Sequence, residues 1–265
     1  MSAPSKYVLR GIALGYLALL IALPVGLLVW RTFAHGLSPV WQALTTPAAV
    51  HALWLTLLIA LITVPLNTIF GILCAMALVR HDFRGKSLLS AFVDLPLGVS
   101  PVVVGLAMVI VYGRRGWLGP WFLEHDVRII FALPGMVLAT IFVALPFVVR
   151  EVVPVLREVG TDQEQAARTL GASTWQTFTM ITLPAIRSGV AFGVVLTTAR
   201  ALGEYGAVSI VSGKLSGRTE TLTLHVEDRF QACHLRGAYA AALVLALLAL
   251  LTLFSMQRLK PQEER

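Results

Sequence analysis

Long uncharged stretches alternate with short polar ones along this chain, and that alternation sets the expected elements. Charge-free runs cover Gly11 to Trp30, Ala52 to Val79, Leu95 to Gly113, Ile129 to Val149 and Gly237 to Gln257. A helix rises about 1.5 Å per residue, so about 20 apolar residues cross a bilayer core of roughly 30 Å. A sixth stretch, Ser188 to Gly213, is interrupted by Arg200 and Glu204. The pattern predicts an all-α membrane protein with six transmembrane helices, at about residues 11–33, 52–79, 92–113, 129–149, 188–211 and 237–257. Lys6 and Arg10 precede the first run as they would in a signal peptide. The run outlasts the roughly 7–15-residue core of such a peptide and no small-x-small cleavage pattern follows, so a retained helix is expected. Pro24, Pro65, Pro101 and Pro146 fall inside the runs, where neighbours must satisfy the backbone groups they free. Gly71, Gly105, Gly135, Gly193 and Ala199 would let helices approach closely.

Composition agrees with the pattern. The chain is 57% hydrophobic and 13% charged, with mean hydropathy +0.80, against about 25% charged in soluble domains. The net charge of +7 flanks the apolar runs and forms no separate basic region, which argues against nucleic acid and for orientation in lipid. Lys and Arg are more numerous in the segments that would face inward, among them Arg80, Arg84, Lys86, Arg150, Arg157, Lys260 and Arg265. Both termini are therefore expected in the cytoplasm. No linker divides the chain, so residues 1–265 form one membrane domain. Cys74 lies in an apolar run and Cys233 in a polar segment, which makes no disulfide framework. Gly85-Lys86-Ser87 resembles the end of a phosphate-binding loop, but Arg80 stands where the first glycine belongs and no strand precedes it. The histidines show no metal-ligand spacing.

The most specific feature is a polar island between the fourth and fifth runs. Gln165-Ala166-Ala167 is followed after three residues by Gly171, then after nine more by Ile181-Thr182-Leu183-Pro184. Thr161-x-x-Glu164 and Ser173-x-x-Gln176 each have the form of a helix capping box, and Gly171 falls where a turn would end the first helix. Two short helices are expected, with Ala166, Ala167 and Leu170 on one small apolar face suited to a groove on a partner.

Those residues resemble the cytoplasmic coupling loop of ABC-importer permeases, E-A-A, three residues, G, nine residues, I-x-L-P, with Gln165 in place of the usual Glu. Further stretches resemble the W-type permeases of sulfate/thiosulfate importers. They include Asp82-Phe83-Arg84-Gly85-Lys86-Ser87, Asp94-Leu95-Pro96, Phe131-Ala132-Leu133-Pro134-Gly135, Pro146-Phe147-Val148-Val149-Arg150-Glu151 and the block Ala199 to Ser209. The resemblance implies a six-transmembrane-helix type I importer fold in the cell membrane, with a core permease at about 50–257 and a coupling loop at 160–184. It implies ATPase-coupling roles for Glu164, Gln165, Ala166, Ala167, Gly171, Ile181, Leu183 and Pro184. It also implies that this chain binds no cofactor and hydrolyses nothing, with ATP and Mg on two copies of a cytoplasmic ATPase. The other implied partners are a second, related permease subunit in a heterodimer, an extracytoplasmic sulfate-binding protein and membrane lipid. Molybdate/tungstate transport by the same machinery is the first alternative. A stand-alone secondary transporter is the second, disfavoured by the lack of an internal repeat or a row of intramembrane acids.

Arg200 and Glu204 stand four residues apart on one helical face within the sixth apolar stretch in question. Two roles suit them: a structural ion pair, or a contact with the anion in a translocation pathway. Charges at that depth cost about 3 kcal/mol or more, so they are expected to face the bundle interior.

Overall fold

The computed structural model describes residues 3–34 and 36–259. Lys260 and Arg265, which contribute to the expected orientation, lie outside the described residues. The described residues are helical and contain no strand. The chain opens with α1 (Ala3–Leu17), a π-helical turn (Ala18–Ala22) and α2 (Leu23–Phe33), which together make one rod, and a short α3 (Leu37–Leu44) follows. The centre consists of α4 (Pro47–Arg80), the elbow of α5 (Lys86–Gly98) and α6 (Pro101–Tyr112), a short α7 (Gly119–Glu124), and α8 (Leu133–Val159). A polar hairpin comes next: α9 (Asp162–Thr169), α10 (Thr174–Thr177), a second π turn (Phe178–Thr182) and α11 (Leu183–Ala185). The chain finishes with α12 (Arg187–Leu202), α13 (Gly206–Val211), α14 (Leu222–Gln231) and α15 (Leu235–Leu259).

Among the described residues, four stretches are long and apolar enough to cross a membrane by themselves: Val8–Phe33, Pro47–Arg80, Leu133–Val159 and Leu235–Ser255. Two bent pairs, Lys86–Gly98 with Pro101–Tyr112 and Thr174–Ala185 with Arg187–Leu202, qualify as pairs and bring the total to six if each is one span.

The core is a three-helix junction. α4 lies along α8, and α12 packs against both. At its centre Val148 of α8 is wholly buried between two glycines. A Cβ on Gly71 of α4 would come 2.6 Å from Val148 Cβ, and one on Gly193 of α12 would come 2.8 Å from Val148 Cα. Glycine is therefore required on both sides for backbones this close. Ile72, Ala75, Val152, Leu156 and Ile186 extend this cluster toward the hairpin. A second cluster, with Leu55, Ile59, Met136, Val143 and Val208, fills the opposite end.

Three expected spans have different outlines. The stretch 92–113 is not straight, since α5 and α6 meet at 113°. Ser100 precedes Pro101 and takes φ −59°, ψ 132°, because the proline ring disfavours helical backbone at the residue before it. The stretch 188–211 does not run through either. α12 stops at Leu202, and α13 turns away to pack on α6, close enough that a Cβ on Gly105 would lie 2.8 Å from the Ala207 carbonyl. The helix expected from 129 starts at Leu133, because Phe131 takes φ 62° and its N–H bonds the Val211 carbonyl. Pro65, by contrast, leaves α4 unbroken over 34 residues.

Candidate functional site

The hairpin after α8 is built by local rules that place each side chain. α8 ends where Gly160 takes φ 67°, and α9 starts two residues on. α9 closes in a Schellman turn: Gly171, at φ 87°, donates to Arg168 O at 3.0 Å, and Ala172 donates to Ala167 O at 3.0 Å. The expected second capping box is formed. Gln176 N–H donates to Ser173 Oγ at 3.3 Å, and Ser173 N–H donates to Gln176 Oε1 at 2.8 Å.

The expected first box is not formed. Thr161 has near-helical backbone angles and its side chain caps nothing; its hydroxyl instead accepts from Gln165 Nε2 at 3.0 Å. Glu164 has a partner that outweighs a cap. Its carboxylate lies buried against Arg80, the last residue of α4, with Arg80 Nε at 3.1 Å and 3.2 Å from the two oxygens and Nη2 at 3.0 Å. The same guanidinium donates to Leu156 O at 3.1 Å and Gly160 O at 2.6 Å, and Thr182 Oγ1 donates to Glu164 Oε1 at 2.9 Å. One arginine thus joins the ends of α4 and α8 to α9, and through Glu164 to the second π turn. Guanidinium supplies five donors in a fixed plane, which suits this multiple contact as a lysine could not.

The implied coupling residues divide between two faces. Glu164 and Ala167 turn inward; Leu183 is half-buried and packs on the Ile72–Leu156 cluster, and Ile181 is half-buried as well. Gln165, Ala166, Gly171 and Pro184 are exposed. The single face expected for Ala166, Ala167 and Leu170 is therefore corrected: Ala167 points inward while Ala166 and Leu170, four residues apart, point out. The exposed surface is more aromatic than expected. Leu170, Trp175 and Met180 are 88%, 71% and 73% exposed, and the Trp175 and Phe178 rings lie 5.8 Å apart. Arg80 and Thr182 were not among the implied residues. At a separation of 84 residues the Arg80–Glu164 contact leaves no local signature.

Arg200 and Glu204 do meet, with Arg200 Nη1 2.7 Å from Glu204 Oε2, as a charge contact without hydrogen-bond alignment. The Glu204 side chain is 1% exposed and that of Arg200 30%. Glu204 also serves the break after α12. Its Oε1 accepts the Ala207 N–H at 2.9 Å, capping α13, and its carbonyl accepts from Thr223 Oγ1 at 2.8 Å. Nearby, Lys214 donates to Glu227 at 2.7 Å, and this bond holds the Glu227 carboxyl below its usual range against partial burial. Burial opposes charge on Glu220, but hydrogen bonds from His225, at 3.2 Å, and Ser216 outweigh it and lower its pKa.

The helical bundle, with its polar hairpin fixed to the ends of two long helices, falls by comparison with known proteins into one class, the membrane component of a binding-protein-dependent importer. The chain belongs to the family described as the binding-protein-dependent transport system inner membrane component, whose model matches residues 67–264. It is 51% identical to the sulfate transport system permease protein CysW of Synechocystis, over 94% of this chain and 90% of that protein. It is 47% identical to CysW of Escherichia coli K12, over 98% and 91%. To the permease CysT of the same bacterium it is 36% identical, over 94% and 90%. Among solved structures, a bacterial ABC transporter that imports alginate superposes with TM-score 0.79 at 18% identity, covering 96% of this chain and 94% of that one. That last likeness is one of fold.

Proposed function

We propose that the chain is one permease subunit of a sulfate/thiosulfate importer and supplies half of the translocation pathway. The observation that carries this reading is the identity of 47–52% with CysW permeases along nearly the whole of both chains. The weaker likeness to CysT supports a heterodimer of the two kinds of permease. In this reading ATP and Mg sit on two copies of a cytoplasmic ATPase, and a sulfate-binding protein delivers the anion from outside. The permease itself binds no nucleotide. Six spans with both termini in the cytoplasm fit the four long helices, the α5–α6 elbow and α12 with the turn that leads into it, together with the inward bias of Lys and Arg.

The hairpin at 160–184 is the coupling element. Its outward residues, Leu170, Trp175 and Met180 among them, offer an apolar surface to a groove on the ATPase. Closing of the ATPase dimer around ATP would draw two such hairpins together and switch the pathway between its two sides. Arg200 and Glu204 serve chiefly as a structural pair, since Glu204 holds the α12–α13 break.

The test is uptake of labelled sulfate and of molybdate in cells lacking this chain, with and without its return on a plasmid. Sulfate uptake that depends on the chain is expected. Loss of molybdate uptake with sulfate uptake intact would assign the other oxyanion and refute the proposal.

A further inference from the structure

We propose that Arg80 is the positioning residue through which movement of the coupling hairpin reaches the membrane-spanning helices. The inference rests on the reading of residues 160–184 as the ATPase-coupling element. The principal packing partners of α9 are α10 and the second π turn, both within the hairpin itself. A displacement imposed on α9 from outside therefore passes to α4 and α8 through the short chain link at Gly160, through Phe178 and Leu183 on the Ile72–Leu156 cluster, and through polar contacts. The Arg80 guanidinium supplies the strongest: five donor contacts to Glu164, Leu156 and Gly160 span three helix ends at once.

Its chemistry suits transmission better than apolar packing would. Side chains in van der Waals contact can slide, whereas a forked guanidinium–carboxylate bond fixes separation and angle together. The side chains of Arg80 and Glu164 are 9% and 11% exposed. Parting them would leave two buried charges, so the pair stays closed while the hairpin moves. Thr182 adds a link from the same carboxylate to the segment that leads into α12. The last turn of α4, the end of α8 and the start of α9 thus move as one body.

The experiment uses the whole complex, with both permeases and the ATPase in lipid vesicles supplied with sulfate-loaded binding protein. The readout is sulfate carried per ATP hydrolysed, alongside the yield of assembled complex. Arg80→Lys keeps the charge but cannot hold three acceptors in one plane, and it is expected to lower the ratio about tenfold, the size of a typical coupling free energy between sites. Thr182→Val, which removes only the hydroxyl link, is expected to lower the ratio about twofold, by loss of a part of that coupling. A proportional fall in transport and hydrolysis, leaving the ratio at the wild-type value, would mark a merely structural role and overturn the proposal. If Arg80→Lys fails to assemble, a wild-type ratio in Thr182→Val overturns it equally. The wild-type complex separates this inference from the function beneath it. Should it carry another oxyanion and not sulfate, the substrate assignment fails, and the same ratio measured with that anion decides the role of Arg80.

Discussion

Two arginine–glutamate ion pairs occur among the described residues, and they differ in what they hold. Arg80 and Glu164 are 84 residues apart, both nearly buried, and joined by a fork that reaches several segments. Arg200 and Glu204 are four residues apart, one of them partly exposed, and joined by a single contact. The first adds a directional link to the apolar packing of Phe178 and Leu183, and the second neutralises a charge at a helix break. Similar residue types thus do unlike work because one pair spans three elements and the other spans one turn. In the second pair the more consequential bond is a different one, from the Ala207 N–H to Glu204.

The comparison can be broken most directly at Arg80. Arg80→Ala leaves Glu164 buried without its counter-charge and is expected to destabilise the chain by about 3–5 kcal/mol. The thermal midpoint of the purified complex measures this, and a shift no larger than that of a surface variant would show that the fork is dispensable. Arg200→Gln should cost less, about 3 kcal/mol, the lower end of that range, because the Glu204 carboxylate keeps its bond from the Ala207 N–H. Changing Glu204 to Gln as well should restore much of the complex yield, because a glutamine oxygen can still accept from Ala207. If the double variant assembles fully yet carries no sulfate, Arg200 meets the anion and the structural reading fails.

Gly171→Val sharpens the comparison from the side of the hairpin. A β-branched residue at φ 87° is expected to cost about 1–2 kcal/mol. The Arg80–Glu164 pair would survive, so insertion should be normal while ATP-driven uptake is lost; uptake at the wild-type rate would refute this. Lys214 and Glu227 give the scale of a more exposed pair. The Glu227 carboxyl is held below its usual range, so its stabilisation is present above the unfolded value and is lost as pH falls through the folded one. Glu227→Gln should remove only about 0.5–1 kcal/mol at neutral pH, and the difference from wild type should vanish as the medium is acidified past the carboxylate range. Melting curves over that pH range decide it.

Much of this architecture is legible in the residues. Apolar run length finds four helices, because crossing a bilayer asks first for length and low charge. The hairpin is legible too, since Gly171 and the Ser173–Gln176 box are local devices with local signatures. What escapes is set by competition across distance. The Thr161–Glu164 pattern is a sound capping box, but a buried guanidinium binds a carboxylate more strongly than one backbone N–H does. Pro101 was visible, yet nothing in its neighbours tells a kink from an elbow of 113°, whereas Pro65 leaves its helix unbroken. The end of α12 at Leu202 depends on α6, against which α13 packs.

The reach of the Arg80–Glu164 contact also has a meaning in time. A ribosome adds roughly 5–20 residues per second, so Arg80 waits on the order of 4–17 s for its partner to be made. A bare guanidinium held that long in hydrocarbon would oppose insertion. The 34 residues of α4 extend about 51 Å at 1.5 Å each, well past a core of roughly 30 Å, which leaves the last turn among headgroups and water. The unusual length of this helix gives its terminal arginine a solvated place to wait, and the hairpin closes onto it when Glu164 emerges.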